Sequence, residues 1–142
     1  MRTNLRLTIS LLVLLPLLVM ADDKPIAPEH IDGVSIVTAE QAIELILEHD
    51  NMPIIDSRKK AEYLKGHIEG AVSLLDTEMT QADMLAVAPD KDARILFYCN
   101  GVRCMRSSNA LRKAQEWGYS ELYWFRGGWK EWSDKRLPVV TK

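Results

Sequence analysis

Apolar residues come in short runs along this chain, with helical spacing between them. The runs fall at Val34–Val37, Met52–Asp56, Ala71–Leu75, Arg94–Tyr98 and Glu121–Phe125. Near-continuous apolar character over four or five positions is the mark of a strand buried on both faces. Between the runs the apolar positions follow one helical face, as with Ile43, Ile46 and Leu47, or Ala110, Leu111, Ala114 and Trp117. The punctuation agrees. Thr38 and Gln41 make a capping-box pattern, Gly66 stops a short helix over Arg58–Leu64, and Pro89 ends one over Thr80–Val87. Gly118 stands at the C′ position of a helix over Ser107–Trp117. Gly127-Gly128 then turns into a short helix bearing Trp129 and Trp132, and Leu137-Pro138-Val139 closes the pattern. Strand and helix alternate throughout, which predicts an α/β fold with a mostly parallel sheet and helices on both faces.

The N-terminus reads differently. Arg2 and Arg6 precede an apolar stretch from Leu7 to Met20, and Val19-Met20-Ala21 has the form of a cleavage site. The stretch is short for a membrane span. The expectation is a signal peptide over residues 1–21, a flexible leader over 22–33 and one domain over 34–142, in a periplasmic or otherwise exported protein. An uncleaved N-terminal anchor would leave the same domain tethered outside the membrane. With no cysteine near the cut, a lipid anchor is not expected. Cleavage would remove two of the 18 basic residues and none of the 20 acidic ones, making the chain more acidic than its formal −2. That balance argues against nucleic acid or an anionic membrane surface as a partner. The short chain points to a monomer. No repeat or low-complexity tract is present.

The chemistry concentrates where the fourth run stops. Ile95-Leu96-Phe97-Tyr98 ends on Cys99, and the loop Asn100-Gly101-Val102-Arg103-Cys104 leads into a helix. A thiol at the carboxyl end of a strand, ahead of a helix N-terminus, lies where α/β sheets place their chemistry. Loop N–H groups and the helix dipole favour the reactive thiolate there. The chain has two cysteines, Cys99 and Cys104. A bridge between them closes a small ring and adds little global stability, so a redox-labile pair, or one working thiol with a neighbour, outranks a staple. Zinc wants about four ligands, and His30, His49 and His67 show no ligand spacing, so neither a metal nor a cofactor is called for.

Four motifs in order resemble those of a single-domain rhodanese, the family of thiosulfate and persulfide sulfurtransferases, from about Val34 to Val140. They are Ile54-Ile55-Asp56-Ser57-Arg58 with Glu62-Tyr63, then Gly66-His67-Ile68-Glu69-Gly70-Ala71, then Tyr98-Cys99 with its loop, then Phe125-Arg126-Gly127-Gly128-Trp129 with Trp132 and Leu137-Pro138-Val139. The resemblance implies a three-layer rhodanese-like fold with Cys99 at the catalytic position. The loop departs from the common Cys-x-x-Gly-x-Arg-Ser pattern. Gly101 comes one position early, the pair Arg106-Ser107 comes two late, and Cys104 is an additional thiol, as in a Cys-Asn-Gly-x-x-Cys variant of the family. The same fold hosts phosphatases, which need Cys-x5-Arg, but Met105 occupies that position and Arg106 misses it by one.

These residues suggest sulfur transfer by double displacement. Cys99 would take a sulfane sulfur from thiosulfate or a persulfide and pass it to a thiol or cyanide acceptor. Asn100, Gly101, Val102, Arg103, Cys104 and Arg106 are the expected substrate-binding set, with Arg103 and Arg106 supplying charge and the backbone N–H groups of Asn100 to Met105 the rest of the cradle. Cys104 is open to three roles: a resolving or regulatory thiol, a packing residue at the helix start, or the nucleophile itself. Asp56 and Arg58 tie strand to helix or contribute to the pocket rim, and an Arg58–Glu62 pair would favour the structural role. His67 fixes a turn. Trp124, Trp129 and Trp132 belong to core and edge. The expected partners are a small-molecule sulfur donor and a thiol acceptor, with a protein acceptor also open. Two other functions stay open: a persulfide carrier for a specific protein, and a thiol–disulfide oxidoreductase using Cys99 and Cys104.

Overall fold

The computed structural model describes residues 25–141; the expected signal peptide and the first leader residues lie outside that range. Five strands form one parallel sheet: β1 (Val34–Ile36), β2 (Ile54–Asp56), β3 (Ala71–Ser73), β4 (Ile95–Tyr98) and β5 (Leu122–Phe125), in the spatial order β1-β5-β4-β2-β3. Each expected run contributes a strand, trimmed by a residue or two. All four residues of the central β4 are fully buried, whereas the edge strands β1 and β3 each expose part of their length.

The helices are α1 (Ala39–Glu48), α2 (Lys60–Lys65), α3 (Gln81–Val87), α4 (Arg106–Glu116) and α5 (Gly128–Asp134). The predicted Thr38 cap holds. Thr38 Oγ1 accepts the Gln41 N–H, Gln41 Oε1 accepts the Thr38 N–H, and Thr80 with Asp83 repeats the box at α3. Alternation along the strands sorts the core into two halves. Ile55, Ile95, Phe97, Leu122 and Trp124 face Met84 of α3 and Ala110, Leu111 and Ala114 of α4. Ile54, Leu96, Tyr98 and Phe125 face Ala42 of α1, Tyr63 of α2 and Trp132 of α5. This is the expected three-layer α/β arrangement. Among the described residues no helix is long and apolar enough to cross a membrane.

Connectivity decides where a site can form. The chain leaves β2 toward α2 on one face and leaves β4 toward α4 on the other. β2 and β4 are neighbours, so their carboxyl ends flank a crevice at a topological switch point, the usual ligand position in an open parallel sheet.

The expected flexible leader is corrected over its described part, because residues 25–33 are fastened to the domain. Ala27 and Ile31 are buried, the Ala27 N–H donates to the Val102 carbonyl at 2.7 Å, and the Arg126 guanidinium donates to the carbonyls of Ala27 and Pro28 at 2.8 Å each. The segment covers apolar surface beside α4 that would otherwise face water.

Candidate active site

Cys99 follows directly on β4, at the crevice. It is 1 % exposed and disulfide-bonded to Cys104, with the two Cα atoms 6.4 Å apart. Above it opens a cleft of about 630 Å³ lined by Pro25, Lys130 and the loop from Asn100 to Arg106. All six residues of the expected binding set therefore meet there. Cys104 borders the cleft and Cys99 lies beneath it.

The backbone of the loop is arranged unevenly. Its carbonyls point into protein partners. Cys99 O accepts the Trp129 N–H at 2.7 Å, Asn100 O the Lys130 N–H at 3.0 Å, Gly101 O the Cys104 N–H at 2.9 Å and Val102 O the Ala27 N–H. Among the described residues, the N–H groups of Val102, Arg103, Met105 and Arg106 have no protein partner. Helix α4 adds to this, since Met105 at its N-cap offers no side-chain acceptor, unlike Thr38 and Thr80 at α1 and α3. Open N–H groups at a helix start, beside cations, suit an anion.

The loop can approach α5 so closely only because residue 128 is glycine. Gly128 has φ +57°, and a Cβ there would overlap the Cys99 carbonyl oxygen and fall 3.0 Å from the Gly101 nitrogen.

Arg106 Nη1 lies 3.8 Å from Cys104 Sγ and 3.8 Å from Glu62 Oε2, so it reaches the disulfide from α4 while Glu62 holds it from α2. Glu62 also accepts the Asn100 side-chain amide at 2.8 Å and the Lys59 N–H at 3.1 Å. Burial pushes the Glu62 carboxyl up, but the bonds from Asn100 and Lys59 and the charges of Arg106 and Arg58 together hold it below its usual value. Glu62 thus spans the crevice, a role that sequence reasoning missed. The expected Arg58–Glu62 pair is not formed. Arg58 precedes α2, so the helical i,i+4 rule does not apply to it, and Asp56 holds its guanidinium instead.

Of the two roles open to Asp56 and Arg58, the structure fits the tie between strand and helix and not the rim, because they are 0 % and 2 % exposed and absent from the cleft wall. Arg58 Nη2 donates to Asp56 at 2.6 Å and to the Gly66 carbonyl at 2.7 Å, and its guanidinium lies 4.2 Å from the Trp129 ring. Tyr98 donates its hydroxyl to Asp56 at 2.5 Å and accepts the Ile68 N–H at 3.2 Å. Burial, reinforced by the Asp56 charge, pushes the Tyr98 phenol far up, so it stays a donor. This knot fastens the residue before Cys99. His67 fixes its turn as expected, its Nδ1 2.9 Å from the Tyr63 carbonyl and its ring stacked on Tyr63 at 3.7 Å. Trp124 and Trp132 are buried, and Trp129 is half-buried over Arg58.

Comparison with known proteins agrees with this geometry. Residues 38–135 match the rhodanese-like domain family. YibN of Escherichia coli strain K12 is 29% identical over 108 residues, covering 75% of this chain and 73% of YibN. A solved E. coli rhodanese with bound anions is 30% identical, with a TM-score of 0.50, over 63% of this chain and 96% of that one. The polysulfide-sulfur transferase of Wolinella succinogenes, at 16% identity, bears on the fold alone; its TM-score is 0.61 over 78% of this chain and 80% of its own. With the parallel sheet, the cysteine at the end of β4 and a family match over most of its length, the chain belongs to the rhodanese-like family.

Proposed function

We propose that the protein is an exported sulfurtransferase that carries a sulfane sulfur on Cys99. The observation that carries this reading is the meeting of a thiol, unpaired N–H groups and two arginines at one crevice. Once the disulfide is reduced, the open N–H groups and the start of α4 favour a Cys99 thiolate. Thiosulfate is a dianion, and the N–H groups of Val102, Arg103, Met105 and Arg106, with the Arg103 and Arg106 side chains, provide donors for its sulfonate oxygens. The thiolate attacks the outer sulfur, sulfite departs, and Cys99 holds a persulfide. An acceptor thiol or cyanide then takes the outer sulfur and restores the thiolate. No general base is required, because the nucleophile enters ionised.

The compartment is part of the proposal, supported by the basic and apolar pattern of residues 1–21. The Cys99–Cys104 bond favours a second reading, a thiol–disulfide oxidoreductase. Steady-state thiosulfate:cyanide turnover by pre-reduced protein separates the two. Sulfur transfer requires turnover that Cys99→Ser abolishes. A protein that reduces or oxidises disulfides but leaves thiosulfate untouched would refute it.

A further inference from the structure

Two thiols bonded to each other at a sulfur-accepting site can do more than switch it off. Cys104 Sγ is already within covalent reach of Cys99 Sγ, with the Cα separation of 6.4 Å inside the ordinary disulfide range. Cys104 sits one residue before the N-cap of α4, its sulfur is 3.8 Å from Arg106 Nη1, and both features favour its thiolate. It also borders the cleft, which Cys99 does not. We propose that Cys104 is a second catalytic thiol, which attacks the Cys99 persulfide and releases its sulfur as hydrogen sulfide, so that the Cys99–Cys104 disulfide is a turnover intermediate; this rests on the sulfurtransferase reading above.

Cys99 thiolate displaces sulfite from thiosulfate and keeps the sulfane sulfur. Cys104 thiolate then attacks Cys99 Sγ. The bond between Cys99 Sγ and the outer sulfur breaks, and its electron pair leaves with the outer sulfur as hydrosulfide. The sulfane sulfur is reduced by two electrons and the two thiols are oxidised to the disulfide. A dithiol reductant, attacking Cys104 from the cleft, expels Cys99 thiolate and restores both thiols by exchange. The net reaction converts thiosulfate and a dithiol into sulfite, hydrogen sulfide and a disulfide. The co-substrate class is therefore a dithiol, small or on a protein.

A single-turnover experiment tests this. Reduced protein is freed of reductant without air, given thiosulfate, and followed by intact mass and released sulfide. The wild type should release one equivalent of sulfide per chain and end about 2 Da below the reduced mass, as a disulfide. Cys104→Ser should instead gain about 32 Da and hold it, releasing less than a tenth as much sulfide. Wild type that holds the added sulfur and releases no sulfide would overturn the proposal while leaving the sulfurtransferase reading intact. Failure of every form, wild type included, to take sulfur would remove that reading and the proposal with it. A folded Cys104→Ser that takes no sulfur, while wild type does, would make Cys104 the acceptor and overturn the assigned roles. Cys104→Ala is run beside it, and if neither variant melts cooperatively the wild-type sulfide and disulfide yields decide alone.

Discussion

Two polar clusters lie one residue apart on this chain and are built on opposite principles. The knot of Asp56, Arg58, Tyr98 and the Gly66 carbonyl is closed. Its charges are buried, and the carboxylate receives the Arg58 guanidinium, the Arg58 N–H and the Tyr98 hydroxyl. The loop from Asn100 to Arg106 is left open, with the carbonyls of Asn100, Gly101 and Val102 occupied and, among the described residues, the N–H groups of Val102, Arg103, Met105 and Arg106 unpaired. Polar groups that hold a fold saturate one another. Groups meant for a ligand keep free valence at the surface, where water fills it until the ligand arrives. Substitutions in the first cluster should therefore change stability, and substitutions in the second should change chemistry.

The largest separation should come from Cys99→Ser. Sulfur transfer should fall about a thousandfold or more, with the melting temperature of the reduced protein almost unchanged. Retained turnover would break the comparison at its centre. Asp56→Ala should do the reverse. It strands the buried Arg58 cation and should cost about 3–5 kcal/mol of unfolding free energy, while the folded fraction keeps its turnover. A shift of only a degree or two in thermal melting would mean that the knot is not structural. Gly128→Ala should blur the two classes, because its methyl group pushes on the Cys99 carbonyl from a left-handed backbone. A loss of about 1–3 kcal/mol should come together with reduced kcat/KM. Arg103→Ala and Arg106→Ala should each raise the KM for thiosulfate about tenfold and leave stability alone. Equal KM values would remove the arginines from the substrate set.

The smallest effect concerns Glu62, which joins α2 to the loop after β4 through Asn100 and to α4 through Arg106. Its carboxyl is held below the ordinary value of 4.5, so its contribution is complete above that pH. The contribution is lost as pH falls through the lowered value, when the carboxyl protonates. Glu62→Gln should flatten that acid limb in a stability–pH profile, and an unchanged limb would assign it to other carboxylates.

What the chain pattern revealed and what it hid follow one division. The five strands, the Thr38 cap and the position of Cys99 depend on neighbours within a few residues, and all were legible. The contacts that shape the site are long-range. Asn100 meets Glu62 across 38 positions, and Arg126 meets Ala27 across 99. The Arg58–Glu62 expectation failed for a different, local reason: Arg58 lies before α2, and Asp56, two residues back on β2, holds its guanidinium. Lys130 and Pro25 reach the cleft from segments whose local sequence carries no sign of it.

The spatial order of the strands also governs how this chain can be made. Its first strand, β1, pairs with β5 alone, and the segment before β1 bonds to Val102 and Arg126. Residues 27–36 thus wait for partners that follow them in the chain by as many as 99 positions. Until residue 126 is synthesised the sheet lacks one edge and the loop after β4 lacks its cover, so the domain closes only once its last strand is made and not progressively.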